Sequence, residues 1–169
     1  AGSVEASLEA LGSDAFKVGL KALTKLTDGK VWLCKGAGSS VPTVEGVSVE
    51  EFKGKHPAGL VGTHIAMLDP VHRARTVWHL GYQDVWAMGR VILTGSLDAT
   101  RIVALGGPTV KNPRLIRSRL GACLSELTDG ELLADQESRI VSGSILSGRQ
   151  VDGNYDYLGR YHNQVSALA

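Results

Sequence analysis

Four of the five histidines of this chain, His56, His64, His72 and His79, lie between positions 56 and 79. Histidine is the commonest metal ligand and the side chain that titrates nearest neutrality, so such a cluster raises the question of a metal site or a proton shuttle. The spacing argues against metal. His56, His64 and His72 are eight apart, which on a helix turns each about 80° beyond two full turns, so one face cannot present all three. There is no H-E-x-x-H, and the carboxylate nearby is Asp69. Ordinary polar or capping histidines are the expectation, and no metal ligand is assigned. Cys34 and Cys123 are far apart, with no C-x-x-C, so neither a four-thiolate iron–sulfur cluster nor a zinc site can be built from them. Both lie in apolar runs, which points to buried free thiols and a reducing compartment. Ser142-Gly143-Ser144 lacks the order of a nucleophile elbow. No catalytic residue is assigned either.

Binding is better served than catalysis. Gly36-Ala37-Gly38-Ser39-Ser40 follows a strand-like Val31-Trp32-Leu33-Cys34 and invites a phosphate-cradle reading. Val41 replaces the third glycine of a dinucleotide fingerprint, however, and Pro42 and a strand-like Val47 to Phe52 stand where a helix N-terminus should hold the pyrophosphate. A plain loop is expected. The stretch from His56 to Gly95 is denser. Pro57 can open a short helix running to about Leu68. Gly59 and Gly62, three apart, would let a backbone or a flat ligand come close, with His56 and His64 beside them. Gln83-Asp84 reads as a helix cap or as a hydrogen-bonding pair at a site. Tyr82, Trp78 and Trp86 read as core or interface aromatics, or as a stacking surface for a flat ligand. His56, Gly59, Gly62, His64, Tyr82, Gln83 and Asp84 are therefore the candidate contact set.

The elements that must position these residues follow from periodicity. Phe16, Leu20, Leu23 and Leu26 form one stripe of a helix over 14–27, capped by Ser13 and ended by Gly29, with Lys17, Lys21 and Lys25 on the other side. Residues 4–11 suggest an earlier turn of helix. Val31–Cys34 and Thr76–Leu80 read as buried strands, and a second helix starts at Gln83 or Asp84, with Val85, Met88 and Ile92 on one face and Gly95 as terminator. This half is an α/β pattern with parallel strands. From about Asp98 the style changes to two strands, Arg101–Leu105 and Leu115–Leu120, a short helix over 122–127, a strand at Arg139–Gly143 and a last strand within Tyr157–Leu168. That is the order of a small β-grasp-like module. The expected division is 1–98, a Rossmann-like α/β half, and 99–169, a β-grasp-like α+β module with a C-terminal return strand.

Composition excludes several classes. The 169 residues are 43% hydrophobic and 21% charged, as in a globular protein, and carry a net charge of +1. With 5% aromatics there is neither a global field nor a base-stacking surface for nucleic acid. The charges are unevenly placed: five basic residues and no acid from Arg101 to Arg119, then five acids and no base from Glu126 to Glu137. Two solvated faces are the simple reading, and a polar docking surface at Arg114, Arg117 and Arg119 the sharper one. No apolar run approaches the ~20 residues of a membrane span, and no signal peptide is read. An initiator Met is lacking, so the chain is expected to be a piece of something longer.

The central stretch, followed by Val91-Ile92-Leu93-Thr94-Gly95, Arg101 to Pro108, Asn112-Pro113-Arg114-Leu115 and Tyr157-Leu158-Gly159-Arg160-Tyr161-His162-Asn163-Gln164-Val165-Ser166, resembles the A subunit of the bacterial sodium-translocating NADH:quinone oxidoreductase, from about Ala15 to the C-terminus. The resemblance implies a peripheral segment on the cytoplasmic face of the bacterial inner membrane, docked on other subunits of a respiratory complex that passes electrons from NADH to quinone and exports sodium. It makes ubiquinone a possible contact of the candidate set, with flavin and NADH used by other subunits and no cofactor in this segment. It is similar in fold to flavin-binding relatives that pair a Rossmann-like half with a β-grasp module. Two readings stand beside it: a soluble β-grasp domain binding a small ligand, and a purely structural docking module.

Overall fold

A computed structural model describes residues 3–135 and 137–169. In chain order the elements are α1 (Val4–Leu11), α2 (Ser13–Leu26), β1 (Val31–Gly36), β2 (Val47–Phe52), α3 (Val61–Leu68), α4 (Tyr82–Thr94), β3 (Thr100–Gly106), β4 (Arg114–Arg119), α5 (Leu124–Thr128), β5 (Arg139–Ser142), β6 (Arg149–Gln150) and β7 (Gln164–Leu168). The class is mixed α/β with two sheets, as the sequence predicts. Contacts gather into two compact units, residues 12–97 and residues 1–11 together with 98–169.

In the 12–97 unit, α2 packs along α4. Ala15, Phe16, Gly19 and Leu20 are buried on α2, and Gln83, Val85, Trp86, Ala87 and Gly89 on α4. The crossing is close because two glycines face backbone. A β-carbon on Gly19 would fall within 3.0 Å of the Val85 carbonyl, and one on Gly89 within 3.0 Å of the Ala15 carbonyl. Two details of α2 differ from expectation. Leu26 is 73% exposed, because the buried stripe ends with the crossing. The N-cap is Gly12, with no side-chain cap, and the helix ends in an extended Thr27 whose hydroxyl receives the Gly29 N–H at 3.0 Å. Gly95 does end α4 in the left-handed conformation, its N–H reaching the Val91 carbonyl at 2.8 Å.

The sheet of this unit is a parallel pair, β1 with β2, in register from Val31 against Val47 to Gly36 against Phe52. The predicted strand at 76–80 does not form. Those residues are irregular, with Trp78 88% exposed, because the apolar run there finds no strand partner among the described residues. Pro57 does not open a helix either. It sits in a turn, Ala58 N–H to Lys55 carbonyl and Leu60 N–H to Pro57 carbonyl, both at 2.9 Å, and α3 begins only at Val61.

The other unit is a five-stranded sheet in the order β4-β3-β7-β5-β6, with β3 and β7 parallel neighbours within it. Its core is Val103, Leu105, Val110, Leu124, Leu158, Val165 and Ala167, each large side chain worth about 1.5–3 kcal/mol of burial. Gly107, at φ +133°, turns the chain after β3 against the Ala167 backbone, where no side chain fits. α5 is capped from a distance. Asp156 receives the Ser125 N–H at 2.9 Å and its hydroxyl at 2.5 Å, and these bonds hold the carboxyl below the usual range. Behind β5, the buried Ser142 hydroxyl bonds His162 Nδ1 at 2.8 Å and accepts the Gly159 N–H at 3.0 Å, clasping the loop that leads into β7.

Candidate functional site

The predicted contact residues fall into two groups, both in the 12–97 unit. The first surrounds the turn between β2 and α3. His56 and Gly59 are exposed in the turn, Gly62 is exposed in the first turn of α3, and His64 is half-buried beneath them. Two side chains of α3 hold the turn. Thr63 donates its hydroxyl to the Pro57 carbonyl at 3.0 Å, and His64 donates Nε2–H to the Ala58 carbonyl at 2.8 Å. The His64 ring also stacks on Phe52 at the end of β2, with centroids 3.9 Å apart. His64 is thus a clamp between strand, turn and helix, with Nε2 already committed. A β-carbon on Gly59 or Gly62 would meet nothing within 4 Å. The chain itself does not need those glycines; space above them is open to another molecule.

Beside this clamp lies a cleft of about 290 Å³, lined by Phe52, Ala58, Met67 and Leu68 together with the polar residues Glu50, Glu51, Lys53 and Thr63. It is small and apolar on one side, at the lower end of the size range of ligand pockets. Phe52 was not among the predicted site residues, although its place at the end of a strand-like run was the available signal. Glu51 explains the fate of the glycine loop. It pairs with Lys35 at 2.8 Å and accepts the Gly38 N–H at 3.4 Å; the Lys35 hydrogen bond, first, and the Gly38 N–H lower its pKa. The loop amide that a phosphate would want faces the protein's own carboxylate, and β2 follows in place of a helix N-terminus.

The second group begins α4. The cap there is Gly81, with no side-chain cap, which corrects the expectation that Gln83 or Asp84 caps the helix: both lie inside its first turn. Gln83 is buried at 2% exposure and donates to the Tyr82 hydroxyl at 3.2 Å. Trp86 is core, at 3% exposure, and Ile92, expected on the buried face, is 55% exposed.

The region between the groups exposes more than it buries. Leu60, Val61, Met67, Val71, Trp78 and Leu80 are all exposed large apolar side chains, at 41–88%. Asp69 and Arg75 brace the segment with a two-pronged ion pair that lowers the Asp69 pKa, and His72 and Arg75 bond each other's backbone. Among the described residues no three His, Cys, Asp or Glu side chains gather as a metal-ligand group.

The predicted docking arginines lie on β4, an edge strand of the other unit. The basic and acidic stretches meet there. Arg114 grips Glu131 through both nitrogens, at 2.6 and 2.7 Å, and Lys111 donates to the Gly130 carbonyl at 2.9 Å. Arg117 donates to the Ala10 carbonyl of α1 at 2.6 Å. Arg119 is exposed and makes no ion pair among the described residues.

Comparison with known proteins agrees along the chain. Residues 3–97 match the family described as NqrA second alpha/beta domain, and residues 102–153 the NQRA C-terminal domain, NQRA_SLBB. Among curated relatives, the A subunit of the Na(+)-translocating NADH-quinone reductase of Marinomonas sp. (strain MWYL1) is 53% identical over 92% of this chain and 35% of its own length. That of Pasteurella multocida (strain Pm70) is 52% identical over the same shares. That of Actinobacillus pleuropneumoniae serotype 5b (strain L20) is 55% identical over 91% of this chain and 35% of its own. The chain spans about a third of the length of these relatives.

Proposed function

Because the chain belongs to the NqrA family, the A subunits of the Na(+)-translocating NADH-quinone reductase, we propose that it is a positioning segment of such a complex. It supports electron transfer from NADH to quinone, coupled to sodium export, by docking other parts of the assembly. The observation that carries this is the exposed apolar set from Leu60 to Leu80, within the stretch densest in family motifs. Six large apolar side chains in solvent over some twenty residues is a surface made to be covered. The two functional parts are proposed to divide at residue 98, with 1–98 as the docking part and 99–169 as the β-grasp-like module; the family matches to 3–97 and 102–153 support that division. No described helix is long and apolar enough to cross a membrane; attachment to the cytoplasmic face of the inner membrane through partner subunits belongs to the same proposal. Flavin and NADH are assigned to other subunits too, since the glycine loop is turned toward Glu51. The test is the intact complex carrying Trp78→Glu. The expected result is loss of the other subunits on purification of this one; co-purification at wild-type stoichiometry overturns the reading.

A second reading has its own observation. The cleft that Phe52, Ala58 and Thr63 line, with Phe52 stacked on His64, suits the edge of a flat ring such as a quinone headgroup, and the turn beside it leaves open space at Gly59 and Gly62. His56, Gly59, Gly62 and His64 are its proposed contacts, and Tyr82, Gln83 and Asp84 remain proposed contacts at the start of α4. Calorimetry with a short-chain ubiquinone analogue is expected to give saturable heat that His64→Ala diminishes. Heat no larger than dilution contradicts it.

A further inference from the structure

β1 is composed as an interior strand and placed as an edge. Val31-Trp32-Leu33-Cys34 is a continuous apolar run, the composition of a parallel strand flanked on both edges and covered on both faces. In the structure its one neighbour among the described residues is β2, and Val31 to Lys35 are all only half-buried. The Trp32 indole N–H is shut from water without an acceptor. β2, by contrast, has the alternating, acid-bearing pattern of a true edge, with Glu50 and Glu51. Natural edges are blunted by charge, proline or bulges. β1 carries none of these before Lys35, and a two-stranded sheet is marginal on its own.

We propose that the open edge of β1 is completed by a further strand from the part of the full-length NqrA-family polypeptide that lies outside this chain. Two facts favour that occupant. The relatives carry about two thirds of their length outside the matched region. The 12–97 unit matches an alpha/beta domain family, and sheets of such domains ordinarily have about four to six strands. An edge whose first four residues are all apolar suits a neighbour that is always present, and so an intramolecular partner better than an exchanging one. The proposal needs the open edge and family membership, and does not need the 60–80 docking face.

Hydrogen exchange read by mass spectrometry over a peptide spanning 30–36 tests it, in this chain and in the full-length polypeptide. In this chain, with one edge bonded, about half of the β1 amides exchange fast, because alternate groups point away from β2. In the full-length polypeptide all of them are expected to slow at least ten-fold. An unchanged fast half there overturns the proposal. A photo-crosslinker attached to Cys34 identifies the neighbour. Cross-links within one full-length polypeptide, to residues outside this segment, are expected; links only to a second copy or to another subunit overturn it. Neither readout depends on Trp78, so failure here leaves the docking reading standing and the reverse holds too.

Discussion

His162 is held below the ordinary histidine range by burial, with the Arg149 charge adding to it. The sign of the pH dependence follows. As pH falls below about 6.5, the unfolded chain binds a proton that the folded one resists, so the clasp to Ser142 contributes least in acid and fully above that value. The melting temperature is expected to drop between pH 7.5 and 5.5, and His162→Asn to flatten that drop; an unchanged slope in the variant sinks the assignment. Asp156 works in a lower window. Its carboxyl is lowered chiefly by Ser125, so its contribution is lost only as pH falls below the ordinary 3.8. Single residues were partly legible in the sequence. The strand at Val31–Cys34 and the left-handed Gly95 that ends α4 could be read from residue type and position. The Asp156 cap could not, because it reaches across 31 residues, and neither could the His64–Phe52 stack, which needs β2 and α3 brought together.

Among the elements, glycine placement distinguishes packing from open surface. Gly19→Ala or Gly89→Ala gains about 1 kcal/mol of helix propensity but drives a methyl group into the backbone of the facing helix. Overpacking of that kind costs about 1–3 kcal/mol and more where backbone must move, so both variants are expected to unfold at lower denaturant. Gly62→Ala meets nothing and is expected to stabilise by up to about 1 kcal/mol. If it also weakens quinone-analogue binding while the fold is firmer, Gly62 serves an incoming ligand; unchanged affinity removes it from the contact set. Helices and the β-grasp order were legible because a 3.6-residue stripe marks Ser13–Leu26, an apolar run marks β3 and an alternation of apolar and basic residues marks β4. Thr76–Leu80 misled for a physical reason: a short apolar run has the same composition whether it meets a sheet or waits for a partner.

For the whole molecule, the oppositely charged stretches meet within one unit at Arg114 and Glu131, so a charge-reversal test of β4 as a dock must separate folding from docking. Arg114→Glu is expected to loosen its own unit, and Arg117→Glu to free the α1 carbonyl, before either affects a partner. Arg119→Glu is the clean variant, expected to leave the melting temperature within about 1 °C of wild type, as ordinary surface substitutions do. If it still co-purifies with the complex, β4 is not the dock. Class and family order were readable in the sequence because family motifs run through nearly the whole chain, whereas the exposed face emerged only when strand 76–80 failed to form. The most direct measurement is hydroxyl-radical footprinting of Met67 and Trp78, 70% and 88% exposed in this chain, in the free segment and in the assembled complex. Oxidation of both is expected to slow at least ten-fold on assembly; equal rates in the two states would mean that this face positions nothing.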